Sequence, residues 1–277
     1  MEFDVIHLHG SGVTPFSTHA IRVHTLHGTT FGRMAACREW LWPGGYAAEL
    51  REVRGVLESN VVLSVRPGLS LFEIAKRLGK TVEVCWNGWD AGNEMGELSK
   101  SVKARLSGGG ARWIFVGRGD DSMKGADRIR GALGLKPGVD LIAAPGLGFE
   151  GREDVLATGR LDSSQVRSLM AGADGLLIPS RYEGHSLVLL EALSEGLVVL
   201  ATRVGGVPYL PSVRGLEILE SGDARELRET MDRIQSGDAF ADSRKIERRQ
   251  ENRKLLPKWR NVAEIALGAV ERYKRKR

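Results

Sequence analysis

The sequence predicts an α/β fold built from two doubly wound halves, each a parallel sheet covered by helices. Three observations predict it. Short apolar runs alternate with helix-like stretches along the chain, the pattern of parallel strands with helices packed on them. The alternation comes in two series, separated by a turn-rich polar stretch over 91–112. The length of 277 residues suits about two domains at roughly 150 residues each.

In the first series, Asp4–His9, Ile21–Leu26, Val61–Val65 and Val82–Trp86 read as strands. Between them, Tyr46–Glu58 reads as a helix with Tyr46, Leu50, Val53 and Leu57 on one face, and Leu71–Leu78 as a shorter helix. Turns at Ala91–Glu94 and Ser107–Gly110 enclose one polar stretch, expected to connect two domains. In the second series, Trp113–Val116, Leu141–Ala144, Val155–Ala157, Gly175–Pro179 and Leu197–Ala201 read as strands. A helix to about Leu133 follows the first of them. Asp162–Ala173 is a helix opened by a capping box, with Asp162 as N-cap and Gln165 three residues on. Ser186–Ser194, Ala224–Ser236 and Lys258–Tyr273 complete the helices.

Composition excludes several classes. Hydrophobic residues are 42% and charged residues 27%, average globular usage, which excludes disordered, collagen-like and coiled-coil chains. Cys37 and Cys85 stand alone, so no zinc finger, iron–sulfur cluster or disulfide framework is expected. The start has no leader pattern and no run approaches ~18 apolar residues; a cytoplasmic protein is the expectation. The net charge of +5 is uneven. Residues 242–277 hold 13 Lys and Arg against 5 Asp and Glu, a balance of +8 that leaves the first 241 residues at −3. The basic end, Arg272–Arg277, reads either as a solvated helix terminus favoured by the helix dipole or as a contact for anionic lipid head groups at the membrane inner face. No nucleic-acid motif accompanies it.

In open α/β sheets, ligands bind at the carboxyl ends of the strands. Gly146-Leu147-Gly148-Phe149-Glu150-Gly151 matches a dinucleotide-loop spacing. It leads into a strand rather than a helix, so it reads as an ordinary loop. The strand Trp113–Val116 feeds a turn carrying Arg118 and Lys124, six residues apart. Two fixed cations and backbone N–H groups are what a diphosphate needs; the alternative is two surface cations beside a loop. After Gly175–Pro179, a loop with Glu183 and Gly184 enters the helix beginning near Ser186, whose first N–H groups form an anion site. Glu191 follows Glu183 by eight residues, ~12 Å along the axis if all are helical. That distance spans a sugar at one end and a ribose at the other. A carboxylate in so apolar a helix needs a partner or a ligand. His7 and His9 share one strand face and read as a strand-end pair without metal. His27, taken alone at a strand end, reads as a structural residue.

Three segments together resemble the retaining glycosyltransferases of family 4, which have the GT-B fold. They are Phe115-Val116-Gly117-Arg118 with Lys124-Gly125, then Glu183-Gly184-His185-Ser186-Leu187 through Glu191-Ala192, then Gly196 through Thr202 with Gly205-Gly206-Val207-Pro208. Asn87-Gly88-Trp89-Asp90 resembles the family's turn before the domain crossover, and Thr25-Leu26-His27-Gly28-Thr29 its His-Gly turn. The resemblance spans nearly the whole chain and is most specific over 113–210. It implies residues 1–105 as an acceptor-side Rossmann-like domain, 106–257 as a donor-binding domain, and 258–277 as a helix packing back on the first. Arg118 and Lys124 would hold the donor diphosphate. Gly184 and the amides of Ser186 and Leu187 would line the phosphate site, and Glu191 would hold the ribose. Glu183 and His27 would be the catalytic pair facing the donor sugar. The implied donor is a nucleotide-diphosphate sugar, the acceptor a sugar, lipid-linked or polysaccharide chain, with no metal required.

The sequence departs from the family pattern in places. His185-Ser186 stands where Phe-Gly is common, Val198 where Pro is usual, and Tyr209 where Glu is usual. The first domain shows four strands where the fold usually has six or more, so it is expected to be incomplete. That leaves an alternative reading, a nucleotide-sugar-binding fragment or the regulatory partner of a second chain.

Overall fold

The structure, a computed structural model, describes residues 3–10, 19–92, 94–136 and 138–276; Arg277 of the basic end lies outside them. The chain divides into two compact units. The first takes Met1–Gly88, Tyr182–Ser186 and Pro257–Arg277; the second takes Trp89–Arg181 and Leu187–Leu256.

In the first unit, strands β1 (Val5–His9) and β2 (Ile21–Leu26) are followed by helices α1 (Thr30–Cys37) and α2 (Pro43–Glu58). Strand β3 (Val61–Ser64), helix α3 (Ser70–Arg77) and strand β4 (Thr81–Val84) complete the series. The four strands pair in chain order, all parallel. Strand β3 is buried on both faces, as an apolar run in a covered parallel sheet should be. One face packs Leu26 and Val62 on Val56, Leu71 and Phe72 of α2 and α3.

Helix α2 forms where its periodicity predicts, but with a different face inward. Tyr46, Leu50 and Leu57 are exposed, and the buried residues are Gly45, Glu52, Gly55 and Val56. The cause is polar and steric. Glu52 accepts hydrogen bonds from the amide and hydroxyl of Thr30, at 3.0 and 2.7 Å, and so anchors the start of α1. Gly45 lets Met34 and Trp42 approach closely.

In the second unit the described elements are α4 (Lys100–Leu106), β5 (Arg112–Val116), α5 (Ala126–Leu135), β6 (Asp140–Ala144) and β7 (Val155–Ala157). Then come α6 (Ser163–Gly172), β8 (Gly175–Ile178), α7 (Leu187–Ser194), β9 (Val198–Thr202), β10 (Leu216–Leu219), α8 (Ala224–Gln235) and α9 (Asp242–Leu255). Six parallel strands run in the order β10-β9-β8-β5-β6-β7, with an apolar cluster on each face. The capping box of α6 is present: the Gln165 amide donates to Asp162 at 2.9 Å, and the Asp162 amide donates to the Gln165 side chain at 3.0 Å.

The stretch 91–112 is not a mere connection. It contains α4, and Leu98, Val102 and Leu106 are buried with Ile114, Leu169 and Leu176. The chain therefore divides after Gly88 rather than at 105, because this apolar face belongs to the second unit's core. Helix α9 has no apolar stripe to betray it. Polar groups anchor it instead: buried Asn252 donates to the carbonyls of Leu193 and Arg214, at 3.0 and 2.9 Å, and Arg248 donates to those of Gly196 and Ala239.

The last helix, α10 (Trp259–Arg275), lies on the other face of the first sheet, where Ala269 and Val270 pack on Val23, Val61 and Leu63. At its basic end Arg272 pairs with Glu83 and Lys274 with Glu271. Among the described residues no helix is long and apolar enough to cross a membrane.

Candidate functional site

The second sheet fixes where a ligand would meet that unit. From β5 the chain moves outward to β6 on one side, while β8 lies on the other. This is a topological switch point, and the loops leaving β5 and β8 flank its crevice. Arg118 and Lys124 are both on the loop after β5. Lys124 ends a short turn, Ser122–Lys124, capped by the Asp121 carboxylate, which accepts from the Met123 amide at 3.0 Å. Arg118 is exposed and forms a two-armed pair with Asp120, at 3.2 and 3.1 Å. That hydrogen-bonded pair raises the Arg118 pKa and lowers that of Asp120. The sequence shows the two cations but not this internal counter-ion, which any anion drawn to the guanidinium would have to displace.

The loop is held by contacts that sequence reasoning missed. Arg181, just past β8, grips Asp127 with two hydrogen bonds of 2.8 and 2.6 Å and donates to the Ser122 carbonyl at 2.9 Å; its amide donates to the Met123 carbonyl at 2.8 Å. A Cβ on Gly119 would overlap the Leu147 carbonyl, and one on Gly125 would overlap that of Pro179. The Gly146–Gly151 run is a loop, as its context predicts, and its role is to brace the cation loop. The Asp127–Arg181 signal was in the sequence as an opposite-charge pair, but at a separation of 54 residues nothing local links them.

Helix α7 starts at Leu187, which is exposed, and carries Glu191 one turn in. Burial pushes the Glu191 carboxyl up, with Arg167 opposing, so the charged form gains from a donor placed beside it. Glu183 precedes the helix. The straight ~12 Å projection over eight helical residues therefore does not hold, because only the last half of that stretch is helical.

The remaining sequence candidates belong to the first unit. His27 follows β2, and the segment Tyr182–Ser186 packs beside it. The Tyr182 hydroxyl accepts from the Thr29 amide at 2.6 Å, and its ring covers Gly28 and Gly32 so closely that a Cβ on Gly32 would collide with it. A Cβ on Gly184 would overlap the His27 carbonyl oxygen. Glu183 is buried. The Asn87 amide donates to the His185 carbonyl at 2.6 Å, and the Trp86 ring meets the His185 ring edge-on. The structure thus brings His27, Glu183, Gly184 and Ser186 into one unit, and Arg118, Lys124, Leu187 and Glu191 into the other.

His185, which stands where the family commonly has Phe, is buried. Burial lowers its pKa to about 4, against a smaller opposing effect of the Asn87 backbone. An unfolded chain protonates it near the ordinary value of 6.5, so acidification from there to about pH 4 favours unfolding. The loss approaches about 3 kcal/mol. His185→Phe is expected to flatten that acid limb by one proton. Urea midpoints at pH 7 and pH 4 check this; an unchanged slope would show that the ring is hydrated.

Residues 95–236 match the family model for glycosyl transferases group 1. The chain is 30% identical over 152 residues to glycogen synthase of Rhodopseudomonas palustris strain TIE-1, covering 55% of this chain but 26% of that protein. It is 31% identical over 87 residues to an MMP α-(1→4)-mannosyltransferase of Mycolicibacterium hassiacum, covering 30% of this chain and 21% of that one. The chain therefore spans about a quarter of the length of these curated relatives. In fold it is similar to sucrose-phosphate synthase from Thermosynechococcus elongatus, with a TM-score of 0.73 at 19% identity, over 99% of this chain and 73% of that one. It is also similar to Anabaena HepE in complex with UDP-glucose, with a TM-score of 0.65 at 19% identity, over 92% and 72%. Two parallel-sheet units of the GT-B type account for these likenesses, and with more than half its length matching the family model, the chain belongs to the group 1 glycosyl transferases.

Proposed function

We propose that the chain moves a hexose from a nucleotide-diphosphate sugar to a sugar, lipid-linked or polysaccharide acceptor, with retention of configuration and without a bound metal. The observation that carries the proposal is the cation loop at the switch point of the second sheet, braced by Arg181 and two tight glycine approaches. A departing diphosphate is an anion, and fixed cations near it stabilise the transition state without reorganising. Arg118 exchanges Asp120 for a phosphate, a two-armed geometry suited to either oxyanion. Lys124 adds a point charge. The first amides of α7, from Leu187, and the preceding Ser186 amide take a second phosphate, with Gly184 admitting the His27 carbonyl beside the approach to that helix. Glu191 accepts from the ribose hydroxyls, which relieves the cost of its burial. Glu183 and His27 face the sugar.

The relatives support a transfer of this class, since glycogen synthase and a mannosyltransferase are among them. For a lipid-linked acceptor, the basic end of α10 would meet the anionic inner face of the membrane from the cytoplasm.

The test is an assay in chelator with UDP-, GDP- and ADP-hexoses and oligosaccharide or lipid-linked acceptors, read by proton NMR at the anomeric centre. An α-linked product from an α-linked donor is expected. A β-linked product would overturn retention, and activity restored only by a divalent cation would overturn the metal-free reading.

A further inference from the structure

Strands β1 and β2 pair so that His7 lies opposite Val23 and His9 opposite Thr25. One face of the sheet therefore carries His7 and His9 on one strand, and Thr25 and then His27 along the other. The side chains close on one another. His7 Nε2 lies 2.7 Å from Thr25 Oγ1, and His9 Nδ1 lies 2.8 Å from His27 Nε2. The His7 and His9 rings are 4.3 Å apart; the His9 and His27 rings are stacked at 5.2 Å with planes 23° apart. Apolar packing does not force this arrangement, because His9 and His27 are both exposed. Among the described residues no three His, Cys, Asp or Glu are placed to hold a metal ion.

A neutral imidazole has one donor nitrogen and one acceptor. A nitrogen–nitrogen hydrogen bond therefore couples the tautomers of the two rings, one donating where the other accepts, and holds their orientation. With Nε2 of His27 occupied, Nδ1 is the nitrogen it can present to a ligand. We infer that His9 is a positioning residue for His27, holding Nε2 so that Nδ1 faces the substrate. The inference rests on the proposed role of His27 at the donor sugar. His27 needs such a partner because it follows the strand on an exposed turn, where its ring would otherwise sample both flips and both tautomers. Its surroundings favour the neutral His27 ring: partial desolvation and then His9 lower the His27 pKa, while desolvation and then His9, His24 and His27 lower that of His7 to about 4.

The experiment uses the full chain with nitrogen-15-labelled histidine. His9→Phe keeps a ring and removes the nitrogen. His9→Asn returns a polar atom near the place of Nδ1. In the wild-type chain His27 is expected as one tautomer, titrating below 6.5. In His9→Phe both tautomers should exchange and the titration should move toward 6.5; His9→Asn should restore one tautomer. A His27 spectrum and titration identical in wild type and His9→Phe would refute the inference. The kinetic readout is kcat with the donor that works. His9→Phe should lower it about tenfold, the scale of one positioned hydrogen bond, and His9→Asn should recover most of it. His27→Ala separates the two claims. Full activity in that variant would overturn the role of His27, while the tautomer of His27 still decides whether His9 positions it.

Discussion

Gly184→Ala is expected to cut sugar transfer by at least about a hundredfold and to lower the melting temperature by about 5 °C, the scale of 2 kcal/mol of overpacking. The new methyl would occupy the position of the His27 carbonyl oxygen, with a Val65 methyl 3.3 Å away. A flexible side chain could swing aside, but a backbone carbonyl at a strand end cannot without moving the His-Gly turn. That turn is tied on its far side by the Thr29–Tyr182 hydrogen bond. Either His27 or the Glu183–Gly184 backbone must shift, and both carry proposed catalytic groups. Gly10 is the control. Its φ is positive, which that of Gly184 is not, but a Cβ there meets nothing within 4 Å, so Gly10→Asn should leave transfer nearly unchanged. Equal loss in both variants would show that the contact with the His27 carbonyl does not set the effect.

Removing Arg118 and Lys124 together is expected to lower kcat/KM for the sugar nucleotide by about a thousandfold or more, given that one lost transition-state donor commonly costs a hundredfold. Stability should barely change. Arg118 is exposed, and its partner Asp120 stays at the surface when the guanidinium is removed. Arg118→Lys should fall between, because an ammonium replaces one arm of the two-armed contact. Steady-state kinetics with the two variants, alongside melting curves, check this. A loss in turnover matched by a loss in melting temperature would move the two cations from the site to the scaffold.

Much of this arrangement is legible in the chain. The segment from Gly175 to Leu193 shows a buried strand, a short loop and an apolar helix with one carboxylate, and each property has a local cause. The same holds for Asp162 and Gln165, whose capping box follows from two residues three apart. What escapes is non-local or polar. α9 has no apolar period because Asn252 and Arg248 hold it by hydrogen bonds to carbonyls. α2 turns its apolar residues outward because Glu52 serves α1. α4 lies in a stretch that reads as polar, yet its Val102 and Leu106, with Leu98 just before it, are buried. In the site, Arg118 and Lys124 are visible, but Asp120 as a resident counter-ion and Arg181 as a brace are not. The attachment of Tyr182 to Thr29, 153 residues apart, appears only when the chain is folded.

The central claim is that the second unit binds a nucleoside diphosphate through the loop after β5. Calorimetric titration of the chain with UDP, GDP and ADP, in chelator, tests it most directly. One nucleotide is expected to bind at one site per chain, with affinity at least about tenfold weaker in Arg118→Ala, as for a lost charge-assisted contact. Binding of none of the three, or equal binding to wild type and variant, would contradict it.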